Sequence, residues 1–304
     1  MHSKFLLIFA IIIVFFSCEE TKNEYPSYPE KKKVLIIGID GALSNAFQES
    51  TGPYIYSLKN SENVRFNLSH KVEDLTISGP NWASICTGVH YDKHKVRDNF
   101  FENNDLESYP HFFNYLNDYY GDEQIELASI AHWFPINYFM TIHQADYGPV
   151  DFNYSDDEVF EQSMSLLENK NPIDPDVLFI HFDQLDHFGH ASGFDVNNPE
   201  YATAISNVDS YTSALMTAVE KRINENGEEW LTIIVSDHGG DGTVHAGGAN
   251  NAAINQTILM IHHPDMPENV SLNTSEQVDI APTILHFLEV DYSTFNLDGK
   301  NLLP

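Results

Sequence analysis

The chain has 304 residues, of which 42% are hydrophobic, so it is long enough to bury a large core and lacks the composition of a disordered protein. It carries 45 Asp and Glu residues against 15 Lys and Arg, a formal net charge of −30 at pH 7. A field of that sign repels phosphate backbones and argues against binding to nucleic-acid duplexes.

The N-terminus has the pattern of an export signal. Residues 5–16 form an apolar run that is short for a membrane span and suits the hydrophobic part of a signal peptide. Cys18 after a small residue resembles a bacterial lipoprotein cleavage site. We predict a signal peptide over residues 1–17, a lipidated Cys18 as the first mature residue and a flexible tether over residues 19–33. The protein would then be periplasmic or at the cell surface, with the lipid as its only membrane contact; a plain secretory signal is the alternative.

Three apolar runs further along the chain each lead to an acidic residue. The runs cover residues 34–37, 177–182 and 231–235 and are typical of buried parallel strands. Open α/β sheets place their sites at the carboxyl ends of such strands. The acids that follow the three runs are Asp40, Asp186 and Asp237.

Helical spacing of apolar residues separates these runs. It covers residues 158–167, 202–225 and 278–288, and a shorter helix is predicted near residues 111–119. The alternation of strand and helix predicts an α/β fold with a mostly parallel central sheet and helices on both faces. We expect one catalytic domain over residues 34–304.

Candidate chemistry begins with Ser78, which lies at a Gly-Pro turn that opens a predicted helix. A serine hydroxyl is a poor nucleophile near neutral pH and needs a base or a metal ion. Asp186 and His190 are four residues apart, so one helical turn would bring both to the same side. His238 directly follows Asp237. Together these residues suggest a metal-activated nucleophile.

The order of these motifs resembles the alkaline phosphatase superfamily, in its type I phosphodiesterase and nucleotide pyrophosphatase branch. The resemblance covers nearly all of the mature chain and implies a three-layer sandwich. Its motifs are Ile37-Gly-Ile-Asp-Gly41, Ser78-Gly-Pro-Asn81 running into Thr87-Gly88, His94 with Asp98-Asn99, Asp186 with His190, Ser236-Asp-His-Gly239, and His245-Ala-Gly-Gly248.

The resemblance also implies a mechanism. Ser78 would attack the phosphorus of a small phosphate ester, a phosphodiester or nucleotide pyrophosphate, and form a covalent phosphoseryl intermediate. Asn81 would donate to the non-bridging oxygens. Two zinc ions are implied, although other divalent cations suit the same ligands. The implied ligands are Asp40, Ser78, Asp237 and His238 for the first ion, and Asp186, His190 and His245 for the second.

Two departures from the branch bear on specificity. Ser78 stands where Thr is usual, and Trp82 stands where His is common. His94, His181 and His187 are spare candidate ligands. The aromatic residues Trp82, His132, Trp133 and Phe134 are pocket candidates, although aromatic runs more often belong to a core.

Other functions stay open on the sequence alone. A phosphomonoesterase or phosphonate hydrolase of the same fold is the first alternative. A sulfatase is less favoured, because Trp82 stands where sulfatases have Arg. A non-catalytic binding lipoprotein is least favoured, because neither the nucleophile nor a metal ligand is missing.

Overall fold

A computed structural model describes residues 25–151, 153–268 and 270–304. The predicted signal peptide, Cys18 and the first part of the tether lie outside the described residues, so export and lipid attachment stay predictions. No helix in the described part of the chain is long and apolar enough to cross a bilayer.

The described residues form one mixed sheet of six strands in the order β2-β6-β5-β1-β4-β3. Strand β6 is antiparallel to its neighbours β2 and β5, while β5, β1, β4 and β3 run parallel to one another. The prediction of a mostly parallel sheet is therefore confirmed. The strands are β1 (Lys32–Ile39), β2 (Val64–Lys71), β3 (Leu127–Ala131), β4 (Val177–Phe182), β5 (Glu229–Val235) and β6 (Gln256–His262).

Helices cover both faces of this sheet, as the three-layer prediction requires. A single turn of 3₁₀ helix covers Gln277–Asp279, and a π-helical segment covers Asn137–Thr141. The α-helices are α1 (Pro53–Leu58), α2 (Ser78–Thr87), α3 (Tyr91–His94), α4 (Phe112–Tyr120), α5 (Asp156–Leu167), α6 (Gln184–Ser192), α7 (Pro199–Asn226), α8 (Ala252–Asn255) and α9 (Ile280–Phe287).

Strand β1 lies at the centre of the sheet and divides its core into two clusters. Val34 and Ile36 point into the cluster that holds α2, α4 and α9, whereas Leu35 and Ile37 point into the cluster that holds α5 and α7. All four side chains are buried. Burial on both faces explains why the sequence of β1 is a continuous apolar run instead of an alternating one.

The helix ends follow local capping rules. Asn198 accepts a hydrogen bond from the backbone N–H of Glu200 and starts α7, and Gly227 ends it with a φ of 65°. Ser155 and Glu158 form a reciprocal capping box at the start of α5. These caps extend the predicted helices by a few residues, because the apolar spacing begins only after the cap.

The ordered chain also reaches into the segment predicted as a tether. Strand β1 begins at Lys32, and the ring of Tyr28 is buried against Tyr120, with 5.2 Å between the ring centroids. Lys33 is buried and paired with Asp176 at 3.0 Å. The domain therefore begins several residues before position 34.

His111 provides a test of how this core depends on pH. It starts α4 and accepts a hydrogen bond from the backbone N–H of Phe113 at 3.0 Å. Burial lowers the pKa of His111 from 6.5 to about 3. The folded state therefore resists protonation, so this stabilisation is complete above the unfolded pKa and is lost as the pH falls below it.

We expect His111→Asn, which keeps a capping oxygen but cannot titrate, to be less sensitive to acid. Between about pH 7.5 and about pH 5.5, the wild type should lose about 1 kcal/mol more unfolding free energy than the variant. Urea denaturation at both pH values measures the difference. Equal losses in the two proteins would contradict a neutral, buried His111.

Candidate metal centre and active site

The polar side chains gather at the carboxyl ends of three neighbouring strands. Asp40 directly follows β1, and Asp237 and His238 lie two and three residues after the end of β5. Asp186 and His190 lie on α6, which begins after β4. Since β1 lies between β5 and β4, the sheet brings all of these groups to one edge.

The first group surrounds the Nε2 atom of His238. Asp237 Oδ2 lies 3.3 Å away, Ser78 Oγ 3.4 Å and Asp40 Oδ1 3.5 Å. Ligand atoms around a tetrahedral zinc ion with bonds of about 2.0–2.1 Å are separated by roughly 3.3 Å. The four side chains are almost completely buried. Their spacing therefore suits one metal ion.

The second group joins α6 to the loop after β5. His190 Nε2 lies 3.0 Å from His245 Nε2 and 3.5 Å from Asp186 Oδ2, and His245 Nε2 lies 3.7 Å from Asp186 Oδ1. The ring of His245 also stacks on that of His238, with 3.7 Å between centroids. The two groups are therefore adjacent, and His238 borders both of them.

Backbone carbonyls fix the orientation of all three histidines. The Nδ1 atom of His238 faces the oxygen of Gly239 at 2.9 Å, and that of His190 faces the oxygen of Thr243 at 2.9 Å. His245 Nδ1 makes the same contact with the Thr76 oxygen at 2.6 Å. A carbonyl can only accept, so each Nδ1 carries the proton and each Nε2 offers a lone pair to the site.

The donor set fits divalent cations. Asp40 Oδ1, Asp186 Oδ1 and Asp237 Oδ2 are buried and have no hydrogen-bond partner among the described residues. Burial and the charge of Asp40 raise the pKa of Asp186 and of Asp237 well above the usual range, and burial lowers the pKa of His238 to about 3. Carboxylate oxygens and unprotonated imidazoles at these distances repel one another unless a cation lies between them.

The structure thus brings together the nucleophile and all six predicted acidic and imidazole ligands, but it does not bring Asn81 to them. Both amide hydrogens of Asn81 are donated to backbone oxygens, those of Leu75 and Ile77, and its oxygen accepts from the backbone N–H of Glu73. Asn81 therefore braces the loop before α2. Its predicted role as a donor to substrate is a mistaken assignment, because no donor is left over.

The other residues that were candidates for metal ligands or for the substrate pocket do not belong to the two ligand groups. Trp82 is completely buried and so is not a pocket residue. His94 is buried beside Ser84, with His94 Nε2 3.0 Å from Ser84 Oγ. His187 is exposed on α6. His181 contacts Asp40 instead of standing as an independent ligand, with His181 Nε2 3.1 Å from Asp40 Oδ2.

The sequence analysis assigned no site role to two residues at this edge of the sheet, although Asn99 is part of one of the family motifs. The side-chain oxygen of Asn99 accepts a hydrogen bond from the backbone N–H of Gly79 at 2.8 Å, which places Asn99 beside Ser78. Asp183 directly follows β4, and its ligand atom lies within 4.8 Å of those of Asp40 and His181. Burial and the charge of Asp40 raise the pKa of Asp183 to about 6. An acid directly after an apolar run, as for Asp40, was the signal that could have identified Asp183.

Solved structures share this architecture. Murine ectonucleotide pyrophosphatase / phosphodiesterase 5 superposes with a TM-score of 0.66 at 15% identity, covering 88% of this chain and 100% of that one. A 2-O GAG sulfatase superposes with a TM-score of 0.67 at 12% identity, covering 90% of this chain and 73% of that one. At such identities the likeness concerns the fold, which is that of the alkaline phosphatase superfamily.

Comparison of the sequence with protein-family models identifies the family within this superfamily. Residues 34–286 match the model of the type I phosphodiesterase / nucleotide pyrophosphatase family, and the chain belongs to that family. The description of that family is one of phosphate-ester hydrolases, the class of enzyme that the motifs predicted. The human catalytic subunit of GPI ethanolamine phosphate transferase 2 is 26% identical over 145 residues, 47% of this chain but 14% of that protein.

We expect chelator-treated protein to bind about two zinc ions per chain and to gain stability as zinc is added. His238→Ala should lose at least one ion, because His238 borders both groups. His263→Ala is the control, since His263 pairs with Glu229 at the other end of β5, at 3.0 Å. Elemental analysis and calorimetric titration give the ion count. The same zinc content in both variants would contradict this assignment.

Proposed function

We propose that the protein hydrolyses phosphodiesters or nucleotide pyrophosphates through a covalent phosphoseryl intermediate on Ser78, with two zinc ions as cofactors. The observation that carries this proposal is the contact of Ser78 Oγ with His238 Nε2, next to two buried carboxylate oxygens that have no hydrogen-bond partner among the described residues. Ser78 Oγ lies 3.4 Å from His238 Nε2, which in turn lies within 3.5 Å of both Asp40 Oδ1 and Asp237 Oδ2. Three imidazoles among the ligands favour zinc over calcium.

Ser78 is the first residue of α2, so the N-terminal end of that helix faces the reacting centre. The positive end of the helix dipole favours an anionic phosphoryl group there. In the first step a bond forms between Ser78 Oγ and phosphorus while the bond to the leaving oxygen breaks. Water then hydrolyses the phosphoserine. When bound, the cations would lower the pKa of the hydroxyl and offset charge on the leaving oxygen.

In this proposal Asn99 takes the role that was predicted for Asn81. Its side-chain oxygen is held by the backbone N–H of Gly79, so its amide nitrogen remains to donate beside Ser78. A donor fixed in this way can bind a non-bridging phosphoryl oxygen without reorganising. Asn99 is exposed, unlike Asn81, and can therefore reach a substrate from solvent.

The charge of the site favours a singly charged ester. Within the described residues, neither Lys nor Arg forms an ion pair with Asp40, Asp186 or Asp237. A phosphate monoester dianion brings a second negative charge that such a side chain would usually match. A diester brings one. Murine ectonucleotide pyrophosphatase / phosphodiesterase 5 has been solved in an inactive form with AMP, the monoester that hydrolysis of a nucleotide diester would release, which supports a diester of AMP as one substrate to test.

We expect Ser78→Ala to reduce turnover of bis-p-nitrophenyl phosphate by at least about 10³-fold, because the attacking oxygen is lost. Ser210→Ala is the control, since Ser210 is exposed on α7 and bonds only within that helix. Steady-state rates with zinc-loaded protein measure the effect. Full activity of Ser78→Ala would disprove the nucleophile, and turnover of p-nitrophenyl sulfate without turnover of phosphate esters would favour the sulfatase alternative.

Asn99 and Asn81 should separate catalysis from stability. Asn99→Ala should lower kcat by about 10²-fold or more while zinc content stays at the wild-type level. Asn81→Ala should instead lower the free energy of unfolding by about 1–3 kcal/mol, because it leaves buried backbone groups without partners. Rates and urea denaturation on both variants distinguish the roles. A larger loss of kcat in Asn81→Ala than in Asn99→Ala, at unchanged stability, would reverse the assignment.

A further inference from the structure

Asp40 receives two hydrogen bonds on one of its two oxygens. Trp82 Nε1 donates to Asp40 Oδ2 at 2.9 Å, and His181 Nε2 lies 3.1 Å from the same oxygen. All three side chains are buried. The other oxygen, Oδ1, has no hydrogen-bond partner in the described part of the chain and faces His238. Oδ2 of Asp40 is thus fixed by hydrogen bonds, and Oδ1 remains available to bind a metal ion.

The protonation of His181 decides which role it can play. The backbone N–H of Trp133 points at His181 Nδ1 across 3.5 Å, so Nδ1 accepts and Nε2 carries the proton that goes to Asp40. By distance alone, Asp40, His181 and Asp183 could hold a further cation. A protonated ring nitrogen has no lone pair for a metal, so His181 is a donor to Asp40 and not a ligand.

Trp82 connects two parts of the active site. It lies on α2 one helical turn after Ser78, and its ring packs against β1 over Gly38. A Cβ atom on Gly38 would lie 2.6 Å from that ring, so the glycine makes room for the indole. The ring also meets that of His181 edge-on, with 4.8 Å between centroids. Packing therefore fixes the direction of the indole N–H.

We propose that Trp82 and His181 are positioning residues that hold Asp40 as a one-oxygen ligand and fix the helix of Ser78 relative to β1. This inference rests on the proposed function, because it assumes that Asp40 binds a metal ion. Hydrogen-bond partners behind a ligating carboxylate orient it, and their loss typically costs about 10–100-fold in metal affinity. The donors here come from two different layers, α2 and the sheet.

The first test removes the indole N–H and keeps an aromatic ring. We expect Trp82→Phe to bind one of its two zinc ions about 10–100-fold more weakly than the wild type, and Trp82→His, which restores an N–H, to recover part of that loss. Trp230→Phe is the matched control. Trp230 is also completely buried and donates through Nε1 to a carboxylate, that of Glu228 at 2.7 Å, at the start of β5 away from the site.

Zinc competition titrations and urea denaturation separate positioning from stability. Both Trp→Phe variants should lose stability, but only Trp82→Phe should lose zinc affinity. Equal zinc affinity in the wild type, Trp82→Phe and Trp230→Phe would overturn the inference. The proposed function fails differently, through a wild type that binds no zinc or a Ser78→Ala variant that keeps its activity.

A second pair of variants covers the case in which Trp82→Phe does not fold. His181→Gln keeps an N–H donor at about the same reach, whereas His181→Leu removes it. His181→Leu should lose zinc affinity about 10–100-fold, and His181→Gln should stay within a few-fold of the wild type. A wild type that binds three ions, one of which both His181 variants lose, would overturn the positioning role in favour of a third cation site.

Discussion

The structure depends on the meeting of unprotonated ligand atoms at one edge of the sheet. Three carboxylates and three imidazoles converge there, and each imidazole donates a hydrogen bond from its Nδ1 atom to a backbone oxygen. The Nε2 atoms therefore carry no proton of their own with which to pair, and the crowding of the carboxyl groups raises the pKa of Asp186 and of Asp237. Without cations this arrangement would cost several kcal/mol of repulsion and lost solvation. With them, the same atoms become two ligand sets.

Thr76 links the two sets to the nucleophile. Its carbonyl accepts from His245 Nδ1, its hydroxyl donates to the backbone oxygen of His245, and the same hydroxyl accepts from the N–H of Gly248 at 2.9 Å. Since Thr76 precedes Ser78 by two residues, the loop that carries His245 and the start of α2 form one hydrogen-bonded unit. A displacement of the nucleophile would therefore displace a ligand of the second set.

The sequence indicated where most of the candidate ligands lie because these follow local rules, and their role as metal ligands stays a prediction. Asp40 and Asp237 directly follow long apolar runs, and Asp186 and His190 share one helical turn, so chain order alone indicated their placement. Three strands were not predicted, two of them for reasons that are also local. Leu127–Ala131 is short and rich in small residues, and Val64–Lys71 has polar side chains and an irregular register near Asn67 and His70. Gln256–His262 is different, because its continuous apolar run could have identified it as a strand.

Asn81 and Asn99 show what a single sequence could not supply. Asn81 lies on the first turn of α2, close to Ser78 in sequence, yet its side chain turns back to the preceding loop. Asn99 reaches Ser78 only through tertiary contact, because Gly79 has no Cβ; such an atom would lie 2.3 Å from the backbone oxygen of Asp98. Gly79 is the sequence feature that permits this contact, but its importance is evident only when the start of α2 is packed against the segment of Asp98 and Asn99.

The two candidate ligand sets differ in their exposure to solvent, and this difference suits two different roles, one in holding Ser78 and one in exchange with solvent. Asp40, Asp237 and His238 follow central strands and are buried, so the set that contains Ser78 is shielded from solvent. In the second set the side chains of His190 and Asp186 are 46% and 16% exposed, respectively. A leaving group and the water that replaces it both need a path to solvent, which only the second set offers. On the proposed function, the buried set would hold Ser78 in place, and the more exposed set would give a leaving group and water access to the site.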